Sequence, residues 1–354
     1  MHADHFRLYN DLWFPSIGMG IYLGNGESDA GEQYKELLTV ALEAGCNHID
    51  TALTHRSQRS EQVVGQALAA VFARGHVTRD EIIVSARGGS VVFEGEYPTD
   101  AATYVRRNLI EAKMAAADEF AQGWHHCMSP RYLRMQFRQS LTNLGLGALD
   151  IFYFHNPEVQ RVERGPEVFE RRLLAAFVEL ETQISTDRLA SYGISTQDGF
   201  RVPPSDSAYL SLSRLVELAR DASGDNHHFR YVHAPLNLAE REIATFKNQV
   251  VSGRERTLLE AAQELGIVVI GGETLWQGQL TLHLPEEMRV AVPAARTDAQ
   301  AAIQWARSTP GLASSLVAMS SREHIEENME VARWPVIPPA DLATLLKNLT
   351  RGAS

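Results

Sequence analysis

Residues 45–87 read GCNHIDTALTHRSQRSEQVVGQALAAVFARGHVTRDEIIVSAR. Two short β-rich runs, residues 47–51 and 81–85, flank one stretch, residues 60–73, whose apolar positions recur at helical spacing. Gly45 and Gly75 stand where a helix C-cap calls for a left-handed residue. The segment is therefore one strand–helix–strand unit.

The same unit repeats outward in both directions. Further β-rich runs lie at 17–22, 149–154, 190–194, 231–234, 268–271 and 315–318, which makes eight. Amphipathic stretches lie at 32–44, 131–144, 168–182, 207–222, 256–265, 299–308 and 322–329, and Gly145 and Gly266 close two of them. Eight strand–helix pairs predict an α/β fold, a (β/α)8 TIM barrel in a single domain spanning residues 1–354. An open doubly wound sheet is the alternative. No glycine-rich dinucleotide turn follows the first strand: Gly18-Met19-Gly20 lies inside the strand and no helix follows it. The spacing breaks once, at residues 88–130, an insertion with its own expected helix at 101–120. A helical tail occupies 335–354, with its helix expected at 340–349.

The chain carries 33 Lys+Arg against 44 Asp+Glu, a formal charge of −11. That balance argues against nucleic acid or an anionic membrane as partner. No apolar run is long enough for a membrane span, and the start lacks a secretory h-region. Cys46 and Cys127 cannot build a disulfide framework, so a cytoplasmic location is expected. The run His125-His126-Cys127 lacks metal-ligand spacing, no metal is expected, and a lid residue over the pocket is the preferred reading. His227-His228 reads as a loop or as pocket lining.

In a barrel, residues just past each strand's C-terminal end face the functional mouth. They are Asp50, Arg87, His155, Ser195, His233, Glu273 and Ser320. Each has a bland alternative. Asp50-Thr51 is suited to a helix cap, Arg87 to a pair with Glu81 or another surface acid, and His155-Asn156-Pro157 to a turn. A ring that is polar throughout favours a functional use. Ser320-Ser321-Arg322-Glu323 reads as a helix start with Ser320 and Glu323 forming a capping box.

These residues resemble the aldo/keto reductase family. The strand-two block is Asn47-His48-Ile49-Asp50-Thr51-Ala52, then Arg59-Ser60-Glu61 and Val64-Gly65-Gln66-Ala67-Leu68. The strand-four block runs from Ser129-Pro130 through Ser140-Leu141 and Leu144-Gly145 to Leu149-Asp150-Ile151 and His155-Asn156-Pro157. Tyr192-Gly193-Ile194-Ser195 and Ser320-Ser321-Arg322 with Glu326-Glu327-Asn328 complete a likeness that extends from Ile17 to Asn328. The insertion is similar to that of a bacterial branch. The resemblance implies a barrel that binds NADP(H) across its C-terminal face and reduces a small-molecule carbonyl with an Asp, Tyr, Lys and His tetrad. Carried over, the Asp is Asp50 and the His is His155. The Tyr position holds His55 and the Lys position holds Arg87.

That change alters the chemistry. Arg keeps its proton and offers a planar fork, while an imidazolium is a stronger acid than a phenol. Arg87 opposes protonation of His55 and Asp50 favours it. The resemblance places the nicotinamide amide at Ser195, Thr196 and His233. It places the adenosine end at Ser320, Ser321, Arg322, Glu327 and Asn328. The family's stacking aromatic falls at Gly272, with Trp276 as a replacement or as a core residue. An NADP(H)-dependent oxidoreductase acting on a small carbonyl or alcohol is the leading expectation. The alternatives are a non-redox lyase, dehydratase or isomerase using the same four residues, and a non-catalytic binding protein with no bound cofactor.

Overall fold

The computed structural model describes residues 1–21, 30–75, 77–93, 98–121, 123–284 and 286–351. Eight parallel strands close into a barrel in sequence order. They are β1 (Ile17–Gly20), β2 (His48–Asp50), β3 (Ile83–Gly88), β4 (Leu149–His155), β5 (Leu189–Ser195), β6 (Phe229–Pro235), β7 (Val268–Gly272) and β8 (Leu312–Val317). All eight expected runs are barrel strands, shifted by a few residues at their ends; Tyr22, the end of the first expected run, lies outside the described residues. The outer helices are α1 (Ala30–Glu43), α2 (Arg59–Arg74), α3 (Pro130–Leu144), α4 (Pro166–Ile184), α5 (Leu212–Ser223), α6 (Leu258–Leu265), α7 (Asp298–Arg307) and α8 (Arg322–Glu330). Gly75 and Gly145 end their helices at φ 72° and 65°, a backbone that costs a glycine nothing.

Strand alternation sorts side chains between two cores. Ile49, Val84, Ala86, Phe152, Phe154, Tyr192, Ile194, Val232 and Val269 face the helices. Ile83, Ile151, Tyr153, Tyr231, Val268 and Ile270 face the barrel axis, with Phe14 among them. Phe14 comes from a hairpin the strand count did not include, Phe6–Tyr9 paired with Leu12–Pro15. Its turn residues, Asn10 and Asp11, have φ of 47° and 62°. A two-residue Asn-Asp link between apolar runs was a readable hairpin signal. The Phe14 ring meets His48 edge-on at 5.4 Å and Tyr231 at 5.7 Å, filling the barrel opposite the mouth.

The insertion departs from expectation. Helix runs only over Ala101–Val105, followed by a π turn at Arg106–Ile110, and a hairpin pairs Phe120–Ala121 with His126–Cys127. Val105, Leu109 and Ala115 sink into a small cluster with Phe120, Cys127 and Tyr132. Residues 111–113 and 116–118 are exposed or nearly so and find no apolar surface, so continued helix gains nothing there. The tail helix α9 (Pro339–Arg351) forms as expected. Among the described residues no helix is long and apolar enough to cross a membrane.

Helices α2 and α3 cross closely because Gly65 has no side chain; a Cβ there would lie 2.3 Å from the Asn143 carbonyl oxygen. At the same contact Glu61 accepts from Ser140 Oγ at 2.8 Å and Asn143 Nδ2 at 3.0 Å. Burial outweighs those two bonds and pushes the Glu61 carboxyl up to about 7. The folded chain thus holds this proton where the unfolded chain, titrating near 4.5, has released it. Stability from this group is fully present below pH 4.5 and declines as pH rises to about 7. Glu61→Gln, which mimics the protonated acid, is expected to gain stability relative to wild type between pH 5 and 7.5. The slope approaches about 1.4 kcal/mol per pH unit, read from urea unfolding at each pH; a difference that stays flat contradicts it.

Candidate active site

Strand register assembles the mouth. Asp50 pairs laterally with Ser85, two residues before Arg87 on β3. His155, Ser195 and His233 are lateral partners across β4, β5 and β6, and so share one rung. Residues on one rung of a pleated sheet point the same way, so the three converge on the mouth together with Arg87.

Arg87 ties this set together. Its Nη2 donates to Asp50 Oδ2 in a buried ion pair and lies 3.4 Å from His233 Nε2. Its Nη1 donates to Ser195 Oγ at 2.8 Å. The guanidinium only donates, so His233 Nε2 is the accepting nitrogen. His233 Nδ1 therefore carries the proton and donates to Ser195 Oγ at 3.0 Å. Ser195 accepts twice and keeps its own proton to give. On the far side Ser85 Oγ donates to Asp50 Oδ1 at 2.6 Å and accepts from His48 Nε2 at 3.2 Å. Glu81, the bland partner expected for Arg87, instead accepts from Thr78 Oγ1 and the Thr78 backbone N–H.

The electrostatics follow from burial and one fixed cation. Burial pushes the Asp50 carboxyl up, but Arg87, His233, Ser85 and His48 together take it down to about 2. Burial, then Arg87, hold His233 down at about 3. Burial and Arg87 also outweigh Asp50 at His55, which falls to about 4. His155 is driven well below its ordinary value by burial first and Arg87 second. The histidines of the mouth are neutral at pH 7. The imidazolium considered from sequence is not the resting form of His55.

Two histidines are fixed from outside the barrel rungs. His55 Nδ1 lies 2.7 Å from the Ile21 carbonyl oxygen. His155 Nδ1 lies 3.0 Å from Ser90 Oγ, and its carbonyl accepts from His126 Nε2 at 2.8 Å. His126 is not a lid. It is buried, and Gln160 Nε2 sits 3.2 Å from its other nitrogen. The half-buried ring of His125 leans on Phe93, with centroids 6.3 Å apart. His228 pairs with Glu181 in a loop before β6. Among the described residues no group of three or more His, Cys, Asp or Glu is placed to hold a metal ion.

Gly272 stands beside Pro235 in the β6–β7 register, and a Cβ on it would lie 2.4 Å from His233 Nε2. The His233 ring fills the space that any side chain at 272 would enter. Trp276 packs partly buried against the outer core at φ 46°. Tyr153, the lateral partner of Arg87 on β4, has a buried hydroxyl with no hydrogen-bond partner among the described residues. Burial, followed by Asp50, pushes its phenol well above the ordinary value, the wrong direction for a proton donor.

The residues assigned to a cofactor divide. Ser195 and His233 lie in the Arg87 network, but Thr196 turns away: its hydroxyl accepts from the Gly199 N–H at 2.9 Å and bonds to Glu158. At α8 the cap is Ser321, not Ser320. Ser321 Oγ accepts from His324 N at 3.2 Å, while Ser320 Oγ meets the His324 ring. The helix starts one residue later than the capping-box reading, which puts His324 rather than Glu323 at the third helical position. Arg322 pairs with Glu36 at 3.0 Å on the surface. Glu327 accepts from Thr297 Oγ1, and Asn328 is buried. Ser85, Ser90, Gln136 and Glu158 were not singled out from sequence. Gln136 accepts from Gly89 N and donates to the Ser90 carbonyl, holding the loop that bears Ser90. Glu158 accepts from the Gln197 N–H.

The sequence profile of the "Aldo/keto reductase family" matches residues 16–202. "Aldose reductase B" of Dictyostelium discoideum is 27% identical over 43% of this chain, and the match spans only 36% of that protein. "L-glyceraldehyde 3-phosphate reductase" of Escherichia coli K12 is 22% identical over 96% of this chain and 90% of its own length. An aldo/keto reductase from Klebsiella pneumoniae, solved in complex with NADP and acetate, superposes with a TM-score of 0.62 at 18% identity, covering 96% of this chain and 92% of that one. The eight-stranded barrel and a family profile that covers more than half of the sequence place this chain in the aldo/keto reductase family.

Proposed function

We propose that the chain is an NADP(H)-dependent oxidoreductase acting on a small carbonyl or alcohol, with the whole chain working as one domain. The observation that carries this reading is the buried Arg87–Asp50 pair at the barrel mouth, in company with His55 and His155, in a chain of this family. The Klebsiella relative binds NADP, and the residues here suit the same group. Ser195 retains a proton for the nicotinamide amide, and His233 lies beside it. The amides opening α8, with Arg322, suit the adenosine phosphate, since a helix N-terminus and a guanidinium both favour an anion. When bound, the dinucleotide supplies the hydride donor or acceptor. The protein contributes the fixed Arg87–Asp50 charge pair and two neutral imidazoles for proton movement.

In a non-redox enzyme the natural use of Arg87 is to clamp a substrate carboxylate bidentately with its terminal nitrogens. Those nitrogens are committed to Ser195 and Asp50. This favours the redox reading.

Titration by fluorescence is expected to show NADPH binding more tightly than NADH. Arg322→Ala should weaken NADPH by about tenfold or more, because a charged hydrogen bond is worth about 1.5–3 kcal/mol. Equal affinity for both cofactors, unchanged in the variant, contradicts the assignment, and no binding at all leaves a non-redox enzyme or a non-catalytic barrel.

A second test restores the family's acid. His55→Tyr with Arg87→Lys is expected to create or raise carbonyl reduction with NADPH, and each single change to do less, because donor and tuning charge act as a unit. A double variant that binds NADPH normally, with no new reductase activity and no altered pH profile, removes these two residues from the reacting centre.

A further inference from the structure

We propose that His126, on the inserted hairpin, is a positioning residue: by holding the His155 carbonyl it fixes the peptide plane that follows His155, and Gln160 and Arg172 fix the His126 tautomer that does so. This rests on the oxidoreductase reading above, in which His155 belongs to the reacting centre. It adds three residues that act on that centre from outside the mouth.

The argument begins with the backbone. His155 ends β4, and Asn156 after it takes a φ of 48°, a left-handed turn that a side chain resists. The peptide plane joining the two residues can relieve this by turning over, which carries Asn156 to a negative φ. Two hydrogen bonds hold the plane. Its N–H, from Asn156, donates to the Ser195 carbonyl at 2.7 Å. Its carbonyl, from His155, accepts from His126 Nε2 at 2.8 Å. The first bond ties the plane to β5 and the second ties it to the insertion. A plane that turned over would lose both, release the Ser195 backbone and shift the His155 ring from Ser90, whose Oγ lies 3.0 Å from its Nδ1.

The second bond has its own support, and every donor in it points inward. A carbonyl oxygen only accepts, so His126 carries a proton on Nε2. Burial holds this ring down to about 4, so at pH 7 it is neutral and Nδ1 bears the lone pair. Gln160 Nε2 donates to that nitrogen at 3.2 Å. The Gln160 amide is not free to turn the other way, because Arg172, which only donates, meets its Oε1 at 2.5 Å. Arg172 stands on α4, and its Nη2 donates to the Asp118 carbonyl at 2.6 Å. Each residue from Arg172 through Gln160 and His126 thus donates to the next, ending at His155. Gln160 lies on the short helix Glu158–Arg164, just beyond Asn156, so the links close a ring around the left-handed turn.

The seat of His126 is set by backbone. The Cys127 N–H donates to the Gly89 carbonyl and the Val91 N–H to the His125 carbonyl, both at 2.7 Å, which lays His126 against Ser90. His126 and Gln160 are 1% and 0% exposed, so bulk solvent does not compete for their donors.

The test uses the full chain. Hydrogen exchange read by NMR is expected to show the Asn156 amide exchanging at least about tenfold faster in His126→Phe, with the mid-strand Phe152 amide unchanged. With NADPH and propanal, glyceraldehyde or glucose, the same variant should lower kcat about tenfold or more, while calorimetric affinity for NADPH stays within about threefold. His126→Gln, whose amide nitrogen can donate to the same carbonyl, should restore both readings to within about threefold of wild type. Should His126→Phe fail to fold, Gln160→Leu, which keeps the imidazole and frees its tautomer, is expected to move both readings in the same direction. Unchanged Asn156 exchange or unchanged kcat in a folded variant, or a loss that His126→Gln does not recover, overturns the inference while the oxidoreductase reading stands. If NADPH binds and no aldehyde of the panel is reduced, the exchange comparison alone decides. Absence of NADPH binding overturns the underlying reading and the inference with it.

Discussion

The ion pair between Arg87 and Asp50 constrains everything around it. Both groups are nearly out of reach of water, with side chains 10% and 2% exposed. A buried charge without its partner costs about 3–5 kcal/mol, so the surrounding residues must satisfy the pair. Ser85 completes the carboxylate and Ser195 completes the guanidinium. The cation in turn dictates the state of its neighbours. His233 must present a lone pair to it, and no histidine of the mouth can hold a second proton near neutral pH. The glycine at 272 follows from the same chain of causes, because His233, drawn toward Arg87 and Ser195, occupies the space above it.

The barrel was legible because its signals are local. Strand runs, amphipathic periods and glycine stops each lie within about fifteen residues, and each reports on its own segment. The ring of strand-end residues was legible for a geometric reason, since parallel strands deliver their last residues to one face. What stayed hidden was lateral. Nothing near Ser85 announces a bond to Asp50, thirty-five positions away. The hold of His126 on the His155 carbonyl depends on how an inserted hairpin docks. Ser320 and Ser321 are both good caps, and only the backbone path chooses between them. The opening hairpin, although its Asn10-Asp11 turn is a local signal, stands outside the strand–helix repeat that carries the rest of the pattern.

The insertion also changes meaning. From sequence its His125-His126-Cys127 run suggested a lid residue over the pocket. Its described residues instead brace the site from the side. The Ser90 hydroxyl meets the His155 ring, His126 holds the carbonyl of the same residue, and Gln160 bridges the hairpin to the chain just beyond β4. Gly89 allows this approach, because a side chain there would press on His126 at 3.1 Å. One residue, His155, is thus held by ring and by backbone from the same inserted segment.

The seam that shuts the barrel joins β8 to β1, with Ser315 beside Ile17. Other ties cross the same seam. Arg7 donates to the carbonyls of Arg307 and Leu312, the His2 N–H donates to the Ala332 carbonyl, and Arg307 reaches Ser16. All of these span roughly three hundred residues. On a ribosome the opening hairpin and first strand would wait, edge uncovered, until the last strand had been made. Loop-closure entropy makes such contacts slow to form, and an unpaired strand edge invites association with other chains. Asp50, on the second strand, and Ile21, whose carbonyl anchors His55, lie next to that late seam. The residues of the mouth would therefore be among the last parts of the molecule to take shape, unfixed until the first and last barrel strands had met.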